Sequence, residues 1–189
     1  MIKTNHLEYQ FSEDGKFISI ILEEFVIEIK VKYEEFAINF MKLVKNNTIK
    51  DIILKIGSLV DKKSMESKFY ISVVLTNNEE IKILNSNFRN KAYATNVLSF
   101  PFYRNNNLND EQRSRPFCYR HFGDIIISME KIFSEAFEQG KSINNHFLHI
   151  FIHGLLHLSG FDHEDDDRAK KMETKEKEIL DFIGIKSPY

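Results

Sequence analysis

A chain of 189 residues is long enough for one domain with a substantial core and too short for two comfortable ones, so a single domain over 1–189 is expected. Its net charge of −2, with 42% hydrophobic and 29% charged residues, describes an ordinary globular protein and not a fibrous or low-complexity one. A single cysteine excludes an internal disulfide and any cysteine-rich metal cage, and no run approaches the length of a membrane span, so a cytoplasmic protein with no membrane partner is expected.

In chain order, residues 17–25 are rich in Ile and Leu and read as a strand, with a weaker candidate over 7–11. Apolar residues at helical spacing over 33–44 and 48–60 predict two peripheral helices. Residues 68–76 alternate Phe69, Ile71, Val73 and Leu75 with other side chains, which is the period of a strand. Asn77 followed by Glu80 resembles a capping box and predicts a helix to about Asn87, with Arg89 just beyond its end and exposed. Short apolar runs at 97–102 and 124–127 suit strands within a sheet. Ser128 is placed to cap a helix that stops at Gly140, Ser142 to cap one carrying residues 145–158, and Asp165–Asp167 to open a last helix over 166–182 with Ala169, Met172, Ile179 and Phe182 on its apolar side. Strands and helices mixed in this order predict an α+β fold.

Charge is unevenly spread. Between positions 82 and 120 seven basic residues (Lys82, Arg89, Lys91, Arg104, Arg113, Arg115, Arg120) face only Asp110 and Glu111, a local balance of about +5. Five of the six arginines lie there. Because the planar guanidinium matches a phosphate with two parallel hydrogen bonds, Lys91, Arg104, Arg113, Arg115 and Arg120 are candidate contacts to an anionic polymer.

Five of the seven histidines fall between His146 and His163. His153 and His157 are four residues apart, hence on one face of a helix, and Gly160 can take the left-handed conformation that reverses the chain and returns His163 to the same point. Three imidazoles and an open fourth position describe a catalytic zinc site, one Zn2+ per chain, in which a bound water is acidified to a pKa of roughly 7. His149, four residues before His153, fits an outer partner of the metal ligands, a packed core histidine or a ligand itself.

The spacing resembles the long zinc motif of metzincin peptidases, except that Gly154 stands where those enzymes carry the glutamate that acts as general base. Peptide or amide hydrolysis is therefore disfavoured. A metal site that activates water without a neighbouring carboxylate suits phosphodiester cleavage at least as well.

The run His153–His163 also meets every fixed position of H-G-x-L-H-L-x-G-[YF]-D-H, the signature of the YbeY endoribonucleases, or rRNA maturation factors, which this chain resembles. Leu84–Arg89 and Thr95–Pro101 are similar to that family's L-N-x-x-[YF]-R and T-[DN]-V-L-S-F-P blocks, and Gly123–Ser128 to its G-D-I-x-I-S strand. Two departures stand out: Ala94 replaces a usual proline, and the connection over 102–122 is long and charged. The resemblance implies a small mixed sheet packed by helices, a zincin-like placement of the metal helix, and a metal-dependent endoribonuclease directed at single strands. It also implies a role in 3'-end maturation of small-subunit (16S) rRNA and in ribosome quality control. On this reading Arg89 is catalytic, neutralising charge on the scissile phosphate, while Asp124 and Asp162 either orient an imidazole or serve as turn and capping residues. The implied partners are rRNA in the pre-ribosomal small subunit, with a ribosomal protein and an assembly GTPase as further candidates. The alternative from another class is a ribosome-assembly binding factor whose metal is mainly structural.

Overall fold

The computed structural model describes residues 8–12, 16–22, 25–33, 48–59, 69–102 and 120–186. Three strands open the chain: β1 (Glu8–Phe11), β2 (Phe17–Ile21) and β3 (Phe25–Val31). They are followed by α1 (Thr48–Gly57), β4 (Phe69–Thr76), α2 (Asn78–Arg89), β5 (Val97–Pro101) and β6 (Arg120–Ser128). Helices α3 (Met129–Glu138), α4 (Ile143–Leu158) and α5 (Asp166–Phe182) complete the order.

The six strands form one mixed sheet in the order β1-β2-β3-β4-β6-β5. The first three meander antiparallel, β3, β4 and β6 run parallel through the centre, and β5 returns antiparallel along β6 as an edge. The result is an α+β domain, a small mixed sheet packed by helices, as expected. No helix among the described residues is long and apolar enough to cross a membrane.

Alternation decides which face of the sheet is buried. Along β4, Phe69, Ile71, Val73 and Leu75 are buried while Tyr70, Ser72 and Val74 are half-buried, and along β3 Ile27, Ile29 and Val31 are buried with Glu28 and Lys30 exposed. Helices α1 and α4 bring Ile49, Ile52, Ile53, Ile56, Phe147 and Phe151 into one core with these strands. The central position of α4 follows from its composition. It is apolar almost all round, so it is stable only when buried, and its histidines form the one polar stripe it has.

Several element boundaries differ from the sequence reading. Residues 17–25 are not one strand: β2 ends at Ile21, a reversal closed by Leu22 N–H donating to Phe25 C=O at 2.8 Å follows, and β3 begins at Phe25. Only Glu23 and Glu24 interrupt the apolar residues at this turn, and the alternation at Glu28 and Lys30 marks β3 as a strand in its own right. Helix α1 stops at Gly57, short of the expected 60, and the helix expected over 33–44 lies outside the described residues apart from Tyr33. Strand β6 begins four residues before Asp124. Helix α2 includes Arg89 as its last residue because Asn90 takes the left-handed conformation, φ 56°, that ends it.

Candidate metal centre

Helix α4 starts where Ser142 Oγ accepts from the backbone N–H of Asn145 at 3.2 Å, and it presents His153 and His157 one turn apart in its last two turns. Past its end Gly160 adopts φ 94°, Phe161 N–H donates to Leu156 C=O at 3.0 Å, and the chain folds back. That reversal brings His163 to the other two. One nitrogen from each of His153, His157 and His163 lies within 4.8 Å of the others, and the ring centroids are 4.6 to 5.5 Å apart.

The hydrogen bonds behind two of these rings fix which nitrogen faces inward. His153 Nδ1–H donates to the Glu176 carboxylate at 2.6 Å, and His157 Nδ1–H donates to the Phe161 carbonyl at 3.0 Å. Both acceptors lack a proton of their own, so each Nδ1 carries the hydrogen and each Nε2 presents a lone pair. The two Nε2 atoms stand 3.0 Å apart. Facing lone pairs repel unless a cation lies between them, and tetrahedral zinc with bonds near 2.0 to 2.1 Å would set its ligand nitrogens about 3.3 Å apart. The trio therefore fits a divalent ion in donor type, and His153 and His157 fit it in tautomer and spacing as well.

Burial holds His157 in the neutral form that ligation requires. Its pKa is lowered to about 4, first by desolvation, then by the neighbouring His153 and His163, with Arg89 contributing and the Phe161 carbonyl opposing. Arg89 thus acts electrostatically on a ligand of the site. It also lines a cleft of about 380 Å³, together with Lys91, Ser99, Pro101, His157, Asp162, His163 and Glu164.

Gly154 is fixed by packing. A Cβ there would lie 3.1 Å from Ile125 Cγ2 and 3.2 Å from Ser99 Oγ, so the glycine lets α4 close onto β5 and β6. The position faces the sheet, which leaves no room for the carboxylate that a metzincin-type base would need.

The remaining sequence-predicted residues are placed as follows. His149 stands outside the trio and approaches the second oxygen of Glu176 at 3.4 Å. Asp124 lies within β6, and its carboxylate meets His121 Nε2 at 3.0 Å. Asp162 borders the cleft, where it accepts from the Arg168 guanidinium at 3.0 Å and from the backbone N–H of Glu164 at 3.4 Å. Lys91 is exposed on the cleft wall, Arg120 opens β6, and Arg104, Arg113 and Arg115 lie outside the described residues.

The residue that sequence reasoning missed is Glu176, only 1% exposed on α5 and shared by His149 and His153. A signal was present. Glu176 lies four residues after Met172 and three before Ile179, on the buried stripe of α5, where an unpaired carboxylate would be costly. Phe182, expected on that stripe, is instead exposed against Lys55, and Leu180 takes the buried place.

The sequence profile described as Endoribonuclease YbeY matches residues 26–184, a span that includes the histidine trio, Arg89 and Glu176. The chain belongs to the YbeY endoribonuclease family. An Endoribonuclease YbeY from Francisella tularensis subsp. holarctica (strain LVS) is 39% identical over 161 residues, covering 85% of this chain and 93% of that protein. The solution structure of TM1509 from Thermotoga maritima is similar with a TM-score of 0.53 and 25% identity, over 83% of this chain and 88% of that one. Membership in the YbeY family supports nuclease activity and agrees with a metal-binding histidine cluster at this place in the fold.

Proposed function

We propose that this protein is a Zn2+-dependent endoribonuclease that cuts single-stranded RNA, with small-subunit (16S) rRNA near its 3' end, in the pre-ribosomal particle, as the substrate. The observation that carries the reading is the cluster of three imidazoles, two of which, His157 and His163, line one cleft with Arg89. His153, His157 and His163 would hold one ion per chain in the manner of a zincin-like metal helix followed by a returning third ligand. When bound, the ion supplies Lewis acidity at the scissile phosphate.

The chain's own residues do the rest. Glu176 and the Phe161 carbonyl hold the His153 and His157 rings in the ligating tautomer, which reduces the reorganisation needed on binding. Arg89, in the same cleft, pairs with the non-bridging phosphate oxygens and neutralises charge that builds there in the transition state. With Gly154 pressed against Ile125, position 154 offers no carboxylate to an amide substrate, so the peptidase alternative lacks the base of the metzincin motif. A role in late ribosome quality control, with a ribosomal protein and an assembly GTPase as partners and a cytoplasmic location, belongs to the same reading.

The assembly-factor alternative keeps the metal and drops the cleavage. Metal analysis of the purified protein, paired with cleavage assays on single-stranded and duplex RNA, separates the two. The nuclease reading expects one zinc per chain, cleavage of the single strand and loss of both in His157→Ala. Full zinc occupancy in that variant would refute the ligand set, and binding to pre-ribosomes without cleavage would favour the assembly factor.

A further inference from the structure

Helix α2 buries one stripe, Ile81 and Asn85, and the next position on that stripe is Phe88. There the stripe runs out into solvent. Phe88 is 65% exposed, and its ring rests edge-on against Phe100 of the edge strand β5, with centroids 5.1 Å apart. Phe100 lies between Ser99 and Pro101, and Phe88 directly precedes Arg89. Those three neighbours all line the metal-site cleft. Single exposed apolar residues are normal on any surface. Here, however, three of the exposed large hydrophobic residues among those described, Phe88, Tyr93 and Phe102, fall between positions 88 and 102, the segment that also supplies Arg89 and Lys91.

From this juxtaposition we infer that Phe88 is a stacking platform for one unpaired base of the RNA strand whose phosphate is held by Arg89. The inference rests on the RNA reading of the site and adds what selects the substrate. An aromatic face beside a guanidinium matches the two halves of a nucleotide, a base with a π-face and a charged phosphate. The ring is fixed at one edge by Phe100 and open on the remainder, so a base finds it already positioned. Bases within a duplex are stacked on their neighbours and cannot lie on Phe88, so the preference for single strands arises at this ring and not at the metal. A protein partner is the less fitting occupant, because the segment 88–102 that presents Phe88 carries Arg89 and Lys91 and no carboxylate.

The test is the affinity of the protein, with a chelator present so that no cleavage occurs, for a short single-stranded RNA and for the duplex of the same sequence, read by fluorescence anisotropy. Phe88→Ala should weaken single-strand binding by roughly 5- to 100-fold and leave duplex binding unchanged. Phe88→Trp should retain the affinity. Phe88→Leu, which restores apolar bulk but no π-face, should behave like the alanine variant. Unchanged single-strand binding in Phe88→Ala, or full rescue by leucine, would overturn the platform. Failure of the parent protein to bind single-stranded RNA at all would overturn the nucleic-acid reading itself, a result the parent measurement alone identifies.

Discussion

Glu176 of α5 accepts a 2.6 Å hydrogen bond from Nδ1–H of His153 while its other oxygen faces His149, which makes a buried carboxylate the anchor of a candidate metal ligand. A carboxylate at 1% exposure is costly unless its charge is answered, and the donors answering it lie on the metal helix. The same contact ties α5 to α4, so the last helix of the chain is part of the site. Glu176→Gln keeps the shape and can still accept from Nδ1–H but removes the negative charge that raises the basicity of the imidazole. Metal affinity should fall by roughly 10- to 100-fold, measured by competition with a chelator of known strength. An affinity equal to that of the parent would show that Glu176 only fills space between the helices.

Protonation should compete with folding as well as with metal. In the metal-free protein the His157 pKa is lowered to about 4, against about 6.5 in an unfolded chain. Between those values the unfolded state binds more protons, so stability rises with pH through this window. The contribution is fully present above pH 6.5 and is lost as pH falls toward 4. Its size should be on the order of 1 to 3 kcal/mol, since partial exposure of the ring screens part of the interaction. Denaturant titrations of the metal-free protein at pH 7 and pH 4.5 would measure it. His157→Gln, which does not titrate, should show the smaller loss of stability on acidification. A variant that loses as much as the parent would assign the acid sensitivity to other groups.

How much of this was legible in the sequence differs between elements for physical reasons. The caps at Asn77, Ser128, Ser142 and Asp165 are local hydrogen bonds written within four residues of sequence, and each is found where expected. The histidine trio was legible for the same reason, because its geometry is set by one helix turn and one left-handed glycine. Strand β3 was not separated from β2, since only Glu23 and Glu24 break the apolar residues on either side of the reversal. Glu176 was missed because its partners lie 23 and 27 residues away on another helix, a tertiary fact that a one-helix pattern carries only as an oddly placed charge. Asp124 was left open between orienting an imidazole and a turn or capping role, and its carboxylate meets His121, an imidazole outside the trio.

Arg89 offers a way to separate charge from geometry. It is the last residue of α2, exposed, lines the same cleft as His157 and His163, and contributes to the lowered pKa of His157. Arg89→Lys keeps a positive charge but replaces a planar fork with a point donor, so the two parallel bonds to a phosphate are lost. RNA cleavage should drop by a factor on the order of 10 to 1000 with metal content unchanged. Cleavage at the parent rate would make Arg89 a helix-end residue with no part in the reaction.

The basic segment from Lys82 to Arg120 should set the baseline affinity for RNA, whatever supplies selectivity. Arg113 and Arg115 lie outside the described residues, and Arg120 begins β6, the strand that pairs with cleft-lining β5. Each phosphate neutralised by such a side chain releases counterions and steepens the fall of affinity with salt by about 0.7 for a single strand. Replacing Arg113, Arg115 and Arg120 together with Gln should therefore flatten the slope of log affinity against log salt by up to about 2 and leave zinc content untouched. Because the metal ligands are far along the chain on α4 and beyond it, zinc content serves as the control for folding. A slope that stays the same in the triple variant would take this segment off the RNA path, and the assembly-factor reading would gain at the expense of the nuclease one.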